Sequence, residues 1–268
     1  MSPSAATSIT RPTAAGVELR GLSRVFDGGN AGSVEALRAV DLSIEPGSFT
    51  ALIGPSGCGK TTILRILAGL DRATAGRFGF SGVSAGDSPR IGYCFQEPRL
   101  LPWRTVGANV ALPLELAGMG KAERRMRAAT AIGKVDLAGF LKARPAALSG
   151  GMRMRAAVAR AIVGNPQLLL LDEPFGALDE VSRYRLDEML HELWVNERFT
   201  AILVTHSIPE AVFLAERVVV LSPRPGRIIG EVAVDLPERT PEIRATDHFA
   251  RLVREVYRML LAAMGNPE

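Results

Sequence analysis

Gly54-Pro55-Ser56-Gly57-Cys58-Gly59-Lys60-Thr61-Thr62 is a glycine-rich segment that fits the pattern G-x-x-x-x-G-K-[ST]. An apolar run, Phe49 to Ile53, precedes it, and a helical-looking run, Ile63 to Leu67, follows it. The backbone N–H groups of such a turn can surround a polyphosphate, and the helix that follows adds the positive end of its dipole. A strand–turn–helix connection that is merely rich in glycine is the alternative. The lysine and the flanking runs favour a nucleoside triphosphate site.

Individual residues of this segment have separate parts in the prediction. Lys60 would reach the β- and γ-phosphates, and the Thr61 hydroxyl would ligate Mg²⁺. Thr62 is expected to begin the helix. A dinucleotide-binding oxidoreductase is excluded because its glycine spacing differs and its motif lacks the lysine.

A second segment, Leu168-Leu169-Leu170-Leu171-Asp172-Glu173, is a short apolar run that ends in two carboxylates. This pattern is typical of a buried parallel strand that presents acids at its carboxyl end, where ligands of open α/β sheets bind. Asp172 suits Mg²⁺, because hard cations prefer oxygen ligands. Glu173 suits the general base that accepts a proton from the attacking water. A solvated strand end without a function is the alternative.

Between these segments lies Leu148-Ser149-Gly150-Gly151-Met152-Arg153-Met154-Arg155, followed by a helical stretch from Ala156 to Val163. This segment resembles the signature of ABC transporter ATPases. Other marks of the family follow in its order: Gln96 within Tyr-Cys-Phe-Gln-Glu at 93–97, Ala177-Leu178-Asp179, and Val204-Thr205-His206. The resemblance extends from about Val17 to about Pro223.

The resemblance implies an α/β fold of the P-loop NTPase (RecA-like) type, with an antiparallel β subdomain and an inserted helical subdomain. We expect a disordered tail at 1–15, the ATPase domain at 16–223 with the helical subdomain at about 100–150, and an extension at 224–268. That extension would contain a strand and an amphipathic helix.

The family marks also imply roles in a homodimer that binds ATP and Mg²⁺. Ser149, Gly150 and Gly151 would bind the γ-phosphate of the ATP held by the opposite copy, and Asp179 would contact that copy. Gln96 would contact Mg²⁺ and the attacking water. His206 would hydrogen-bond the γ-phosphate and hold the water of Glu173 in line.

Two positions carry open questions. Phe26, in Leu22-Ser23-Arg24-Val25-Phe26, lies where the family places an aromatic ring that stacks on adenine, although a buried core phenylalanine is the alternative. Met154 stands where the family usually carries glutamine, and methionine makes no strong hydrogen bonds. We expect the exchange to be tolerated, because the anion contacts would come from Ser149 and the glycine backbone.

The segment from Phe95 to Leu114 resembles importer ATPases of the nitrate, sulfonate and taurine group, as does Ser222-Pro223-Arg224-Pro225-Gly226-Arg227-Ile228. In that group the region after the glutamine receives a short helix of the membrane permease. Leu100, Leu101, Pro102 and Trp103 are therefore candidates for permease contact. Burial of these residues in the core of the chain is the alternative.

Composition agrees with a peripheral subunit. The chain has 268 residues, of which 47% are hydrophobic, and it contains no apolar run of the roughly 20 residues that span a bilayer. Met1 to Ala15 lacks the basic-then-apolar pattern of a signal peptide. Cys58 and Cys94 are expected to be free thiols in a reducing cytosol. The pI is about 9.4, but the net charge is only +4 and the arginines are dispersed, so nucleic acid is not an expected partner.

The coarse layout predicts strands and helices around these motifs. Strands are expected at Val17 to Arg20, Val34 to Ile44, Phe49 to Ile53, Leu168 to Leu171, Thr200 to Val204 and Arg217 to Leu221. Helices are expected at Thr105 to Gly118, Lys121 to Val135, Leu137 to Lys142, Val181 to Asn196 and Pro209 to Ala215. Apolar residues near the end recur at helical spacing: Phe249, Leu252, Val253, Val256, Tyr257 and Leu260. This stripe is expected to pack on its own domain or on the twin subunit. A position on the membrane surface is the minor alternative.

These observations predict an ATPase subunit on the cytoplasmic face of the inner membrane. It would pair with a second copy beneath a separate permease and drive uptake of a small anion delivered by a substrate-binding protein. A soluble ABC-type ATPase that acts on nucleic acid or ribosomes is one alternative. An exporter motor is another.

Overall fold

The computed structural model describes residues 14–29, 32–84 and 87–265. Thirteen of the fifteen residues expected to form a tail lie outside this described part. Ala15 belongs to the folded domain, because it is fully buried and its N–H donates to the Gln167 carbonyl at 3.2 Å.

The described residues form two sheets and the helices that pack on them. The strands are β1 (Gly16–Asp27), β2 (Ser33–Ile44), β3 (Phe49–Ile53), β4 (Ala75–Ser81), β5 (Ile91–Cys94), β6 (Leu168–Asp172), β7 (Thr200–Val204), β8 (Arg217–Leu221) and β9 (Ile228–Ala233). The α-helices are α1 (Lys60–Leu67), α2 (Val106–Val110), α3 (Leu112–Leu116), α4 (Lys121–Gly133), α5 (Gly150–Ile162), α6 (Glu180–Glu197), α7 (Ile208–Leu214) and α8 (Asp247–Ala263).

The larger sheet has the strand order β5-β6-β7-β3-β8-β9. All neighbouring pairs are parallel except β8 and β9, which are antiparallel. The leucines of β6 show why the strand reads as one apolar run: Leu169 and Leu171 pack on one face of the sheet, and Leu168 and Leu170 pack on the other. Both faces are therefore covered, and burying each leucine contributes roughly 2 kcal/mol relative to exposure.

The smaller sheet is antiparallel, with the order β2-β1-β4. Its first strand continues to Asp27, seven residues beyond the predicted end at Arg20. Register shifts interrupt the pairing of β1 with β2 between Leu19 and Val25, which explains why no simple alternation marks this half of the strand. This added part of β1 contains Phe26, the residue predicted to stack on adenine.

The helical insert differs in detail from the prediction. Thr105 to Gly118 forms two short helices, α2 and α3, instead of one helix. Pro113 lies in the first turn of α3 and has no N–H to donate to the preceding turn, so the two helices separate at Ala111. The predicted helix at Leu137 to Lys142 is only a 3₁₀ turn, Ala138–Phe140. The helix α1 begins at Lys60, two residues before the predicted Thr62.

The C-terminal helix α8 packs on its own chain. Phe249, Leu252 and Val256 are buried in the main core, which lies on the face of the larger sheet that carries Leu169 and Leu171. Tyr257 is 52% exposed. Among the described residues, no helix combines the length and the apolar character that a membrane span requires.

Candidate functional site

The glycine-rich segment forms a tight loop between β3 and α1. Gly59 has φ of +100°, and a Cβ atom there would lie 2.4 Å from Leu37 Cδ2, so only glycine fits this position. Lys60 is buried, and its Nζ donates to the carbonyls of Gly54 at 2.8 Å and Pro55 at 3.0 Å. The ammonium thus closes the loop on itself and lies beside the helix N-terminus, where an anion is favoured.

A cavity of about 250 Å³ opens beside this loop. Its lining combines backbone of the loop with side chains from the smaller sheet and from strand ends: Phe26, Val34, Ala36, Ser56, Gly57, Cys58, Gly59, Lys60, Thr61, Thr62, Glu173 and Arg224. Phe26 is 37% exposed in this lining, so it is not the core residue of the alternative interpretation. The cavity thus combines an aromatic ring with the glycine-rich loop and the buried Lys60, features that suit a nucleotide site.

Thr61 and Asp172 form the pair that suits a divalent cation. The Thr61 hydroxyl donates to Asp172 Oδ1 at 2.7 Å. Both side chains offer oxygen atoms, the ligand type that Mg²⁺ prefers, near the carboxyl edge of the sheet. The Tyr93 hydroxyl donates to Asp172 Oδ2 at 3.1 Å, a contact that sequence reasoning missed. Burial, with Asp172 beside it, raises the pKa of the Tyr93 hydroxyl, so it remains a donor that orients the carboxylate.

The Glu173 carboxylate contacts two other predicted site residues, Gln96 and His206. Its Oε2 lies 3.4 Å from Gln96 Nε2 and 3.3 Å from His206 Nδ1. The backbone of Glu173 adopts φ of +45°, a conformation that a non-glycine residue rarely takes, and its N–H donates to the Val204 carbonyl at 2.9 Å. Strain of this kind is maintained where the surroundings hold a side chain in one direction.

A buried polar cluster lies behind His206. The adjacent Thr205 hydroxyl donates to Glu210, and Asp187 accepts from Arg244 of the C-terminal extension at 3.2 Å. Burial raises the pKa of both carboxyl groups, and at Asp187 the neighbouring Glu210 adds to this effect. The cluster ties the C-terminal extension to the strand end that presents His206.

The signature segment lies at the start of α5. The Ser149 hydroxyl caps this helix by accepting from Met152 N–H at 3.3 Å, and Gly150 and Gly151 form its first turn. Although the structure describes all three residues, none of them lines the cavity of its own chain. The start of α5 is therefore separate from the cavity that the glycine-rich loop of the same chain lines.

Asp179 occupies the equivalent place on α6. Its carboxylate caps the helix by accepting from Ser182 N–H at 2.9 Å. Hydrogen bonds from the side chain and backbone of Ser182 lower the pKa of Asp179, which keeps this exposed group ionised.

Met154 is buried inside the domain. Its Sδ lies 3.8 Å from the Cys94 sulfur, and burial raises the pKa of the Cys94 thiol to about 12. Both Cys58 and Cys94 are free, as expected. Met154 therefore serves as an apolar core residue in this chain.

We expect Met154→Gln to change ATP turnover by less than about tenfold, which is about 1.4 kcal/mol in barrier. The same substitution should lower the free energy of unfolding by about 1–3 kcal/mol, because the amide would be buried beside a weakly bonding thiol. Steady-state turnover and denaturant unfolding measure the two effects, with Met154→Leu as the apolar control. A rise in turnover above tenfold would show that the amide has a role that this chain has lost.

The four candidates for permease contact divide into two kinds. Trp103 is 69% exposed and Pro102 is also exposed. Leu100 packs against the main core and Leu101 is half-buried, its N–H donating to the Asn109 side chain at 2.7 Å. Burial in the core of the chain, the alternative to permease contact, thus applies to Leu100. Pro102 and Trp103 remain exposed candidates for that contact.

Comparison with known proteins agrees with this geometry. A family model described as ABC transporter matches residues 37–176, which is more than half of the chain. The chain belongs to the ABC transporter family. As an ABC cassette, it is an ATP-hydrolysing enzyme, and the α/β core described above is that of a P-loop NTPase.

Relatives within the ABC family include proteins named for import. The aliphatic sulfonates import ATP-binding protein SsuB 1 of Mesorhizobium japonicum is 46% identical over 218 residues, which cover 81% of this chain and 79% of that protein. The nitrate import ATP-binding protein NrtD of Synechocystis sp. is 43% identical over 231 residues, which cover 85% of this chain and 86% of that protein.

Solved ABC cassettes share the fold. The ATP-binding cassette MJ0796, in a dimeric post-hydrolysis state bound to ADP and Pi, superimposes with a TM-score of 0.72 at 32% identity. The match covers 82% of this chain and 99% of that one. A second dimeric structure of MJ0796 gives a TM-score of 0.71 at 31% identity.

Proposed function

We propose that this cassette is the ATPase subunit of an importer for a small anion of the sulfonate, nitrate or taurine type. The observation that carries the enzymatic half is the carboxylate of Glu173, held between Gln96 and His206 and adjacent in sequence to Asp172. The names of the relatives SsuB and NrtD support the importer half, since both are named for uptake of an anion.

In the proposed reaction, water attacks the γ-phosphorus of ATP while Glu173 accepts its proton. A new oxygen–phosphorus bond forms, the bond to the β–γ bridging oxygen breaks, and ADP and inorganic phosphate leave. Gln96 and His206 would position the water and the γ-phosphate, and Lys60 would bind the β- and γ-phosphates. Bound through Thr61 and Asp172, Mg²⁺ would offset charge on the phosphate oxygens.

Two copies would form the complete reaction centre. Ser149 with Gly150 and Gly151 would bind the γ-phosphate of the opposite copy's ATP, and Asp179 would contact that copy. The position of the Ser149 segment outside its own cavity supports this arrangement, as do the dimeric MJ0796 cassettes. A contact that needs the γ-phosphate would close the pair with ATP and release it after hydrolysis.

The cassette would bind the permease at the cytoplasmic face of the inner membrane, without crossing it. Pro102 and Trp103 would contact a permease helix, since exposed aromatic side chains commonly anchor interfaces. A separate substrate-binding protein would deliver the anion to the permease, so the cassette itself would not touch the transported solute.

We expect Trp103→Glu to weaken co-purification with the permease by at least about tenfold, because an exposed aromatic anchor is replaced by a charge. Turnover of the isolated cassette should remain within about twofold, as Trp103 lies outside the cavity. Tyr257→Glu, at an exposed position of helix α8, is the matched control. Unchanged co-purification, or stimulation of the ATPase by nucleic acid in place of permease, would contradict the proposed role.

A further inference from the structure

The turn from Ser222 to Arg227 links β8 to β9 and has no part in the reaction described above. Ser222 holds the turn from inside: its N–H donates to Arg227 O at 2.9 Å, and its hydroxyl donates to Pro225 O at 3.1 Å. The Arg227 N–H in return donates to the Ser222 hydroxyl at 3.0 Å. The turn is therefore compact, with Arg224 at its outer end.

The same turn is docked on strand β2 and on the glycine-rich loop at residues 54–62, the phosphate loop. Gly226 N–H donates to Ala36 O at 2.9 Å, and Arg38 N–H donates to Gly226 O at 3.1 Å. A Cβ atom on Gly226 would lie 1.9 Å from Cys58 O, so the two backbones are in direct contact and only glycine permits it. Backbone contacts of Gly226 thus fix where Arg224 lies relative to the loop, and this placement does not depend on the Arg224 side chain.

The Arg224 side chain reaches into the nucleotide cavity. Its Nε donates to the Gly57 carbonyl at 3.1 Å, and its guanidinium lines the cavity together with Phe26, Lys60 and Glu173. Within the part of the chain that the structure describes, Arg224 makes no ion pair with a carboxylate, in contrast to Arg38 and Arg217. The remaining N–H groups of Arg224 are available to a ligand.

We propose that Arg224 is a nucleotide-binding residue that contacts the phosphate chain of ATP. A guanidinium presents parallel N–H donors that match phosphate oxygens, and such charge-assisted bonds are among the stronger ones in proteins. Lys60 is buried within the glycine-rich loop, whereas Arg224 is exposed and belongs to a separate turn, so the two cations reach the cavity from different segments of the chain. This proposal depends on the ATP site and not on the proposed role in import.

The alternative is that Arg224 only braces the loop through its bond to Gly57. Two substitutions separate these roles. Arg224→Gln keeps an N–H donor for the Gly57 carbonyl and removes the charge. Arg224→Lys keeps the charge and removes the planar fork. Arg227→Gln is the matched control, because Arg227 belongs to the same turn but does not line the cavity.

Equilibrium binding to the full chain, with Mg²⁺ present, tests the proposal with ADP, the non-hydrolysable analogue AMP-PNP, and adenosine. Arg224→Gln should weaken ADP and AMP-PNP by about tenfold or more and leave adenosine unchanged, with Arg224→Lys intermediate and Arg227→Gln unaffected. The salt dependence of ADP binding should also become shallower in Arg224→Gln.

Unchanged affinity for ADP in Arg224→Gln, or an equal loss for adenosine, would overturn the proposal in favour of a brace. If Arg224→Gln lowers the melting temperature, the salt dependence of ADP binding decides. A slope that becomes shallower in Arg224→Gln but is preserved in a folded Arg224→Lys supports the phosphate contact, and a slope that Arg224→Gln leaves unchanged overturns it. A parent protein that binds no AMP-PNP would instead contradict the ATP site itself.

Discussion

Glu173→Gln should reduce ATP turnover by about 10² or more while ATP stays bound, which is the usual effect of removing a general base. Glutamine can keep hydrogen bonds to Gln96 and His206, which lie 3.4 and 3.3 Å from the carboxylate, but it cannot accept the proton of the attacking water. With hydrolysis blocked, the two copies should remain closed on ATP. Single-turnover hydrolysis and light scattering with ATP measure the two effects.

Glu192→Gln is a suitable control for this result, because it makes the same charge change on an exposed residue of α6. It should leave turnover and association unchanged. A Glu173→Gln protein that hydrolyses ATP at the parent rate would remove Glu173 from the mechanism.

Ser149→Arg should also abolish hydrolysis, by at least about 10²-fold, although the cavity of the same chain remains intact. Arginine would place a bulky charged group where the N–H groups of α5 should meet the partner's γ-phosphate. The loss of the helix cap costs only about 1 kcal/mol and does not account for such an effect. Ser149→Asn keeps a capping oxygen, so the difference in melting temperature between Ser149→Asn and Ser149→Arg shows how much the cap contributes.

Mixing the two inactive variants provides the decisive test of the dimer. In a heterodimer of Glu173→Gln with Ser149→Arg, one site has both an intact Glu173 and an intact Ser149 from the opposite copy. Equal mixing before ATP is added should recover up to about a quarter of the parent turnover, because half of the dimers are mixed and each has one good site. If the mixture is no more active than the separate variants, Ser149 does not act across the interface.

The phosphate loop and the acidic strand were predictable because local chemistry dictates both. Gly59 must be glycine because its φ is +100° and a Cβ atom there would lie 2.8 Å from the Ala36 carbonyl oxygen. The leucines of β6 must all be apolar because both faces of the strand are covered. Such requirements leave a continuous pattern in the sequence. The predicted positions of strands β3, β6, β7 and β8 were therefore correct. At the carboxyl end of β6, Asp172 accepts a hydrogen bond from Thr61 and Glu173 follows it in the chain.

Other features leave a weaker pattern. The strand β4 is Ala-Gly-Arg-Phe-Gly-Phe-Ser, mostly exposed, and it is stabilised by pairing with β1 and not by burial. Tyr93 reaches Asp172 only because β5 lies beside β6, a neighbour relation between strands far apart in the chain. Arg224 enters the cavity only because Gly226 packs on Cys58. No local period predicts these contacts.

By itself, the sequence determined the phosphate loop, the acidic strand end and the identity of the family, because each depends on residues that are close together along the chain. Tertiary structure alone decided that Gln96 and His206 meet at one oxygen of Glu173, that Met154 is buried against Cys94, and that Trp103 is exposed. The physical reason is that these relations arise from strand order and packing between segments separated by tens of residues. Sequence periodicity reports which face of an element is buried, but not which other element covers it.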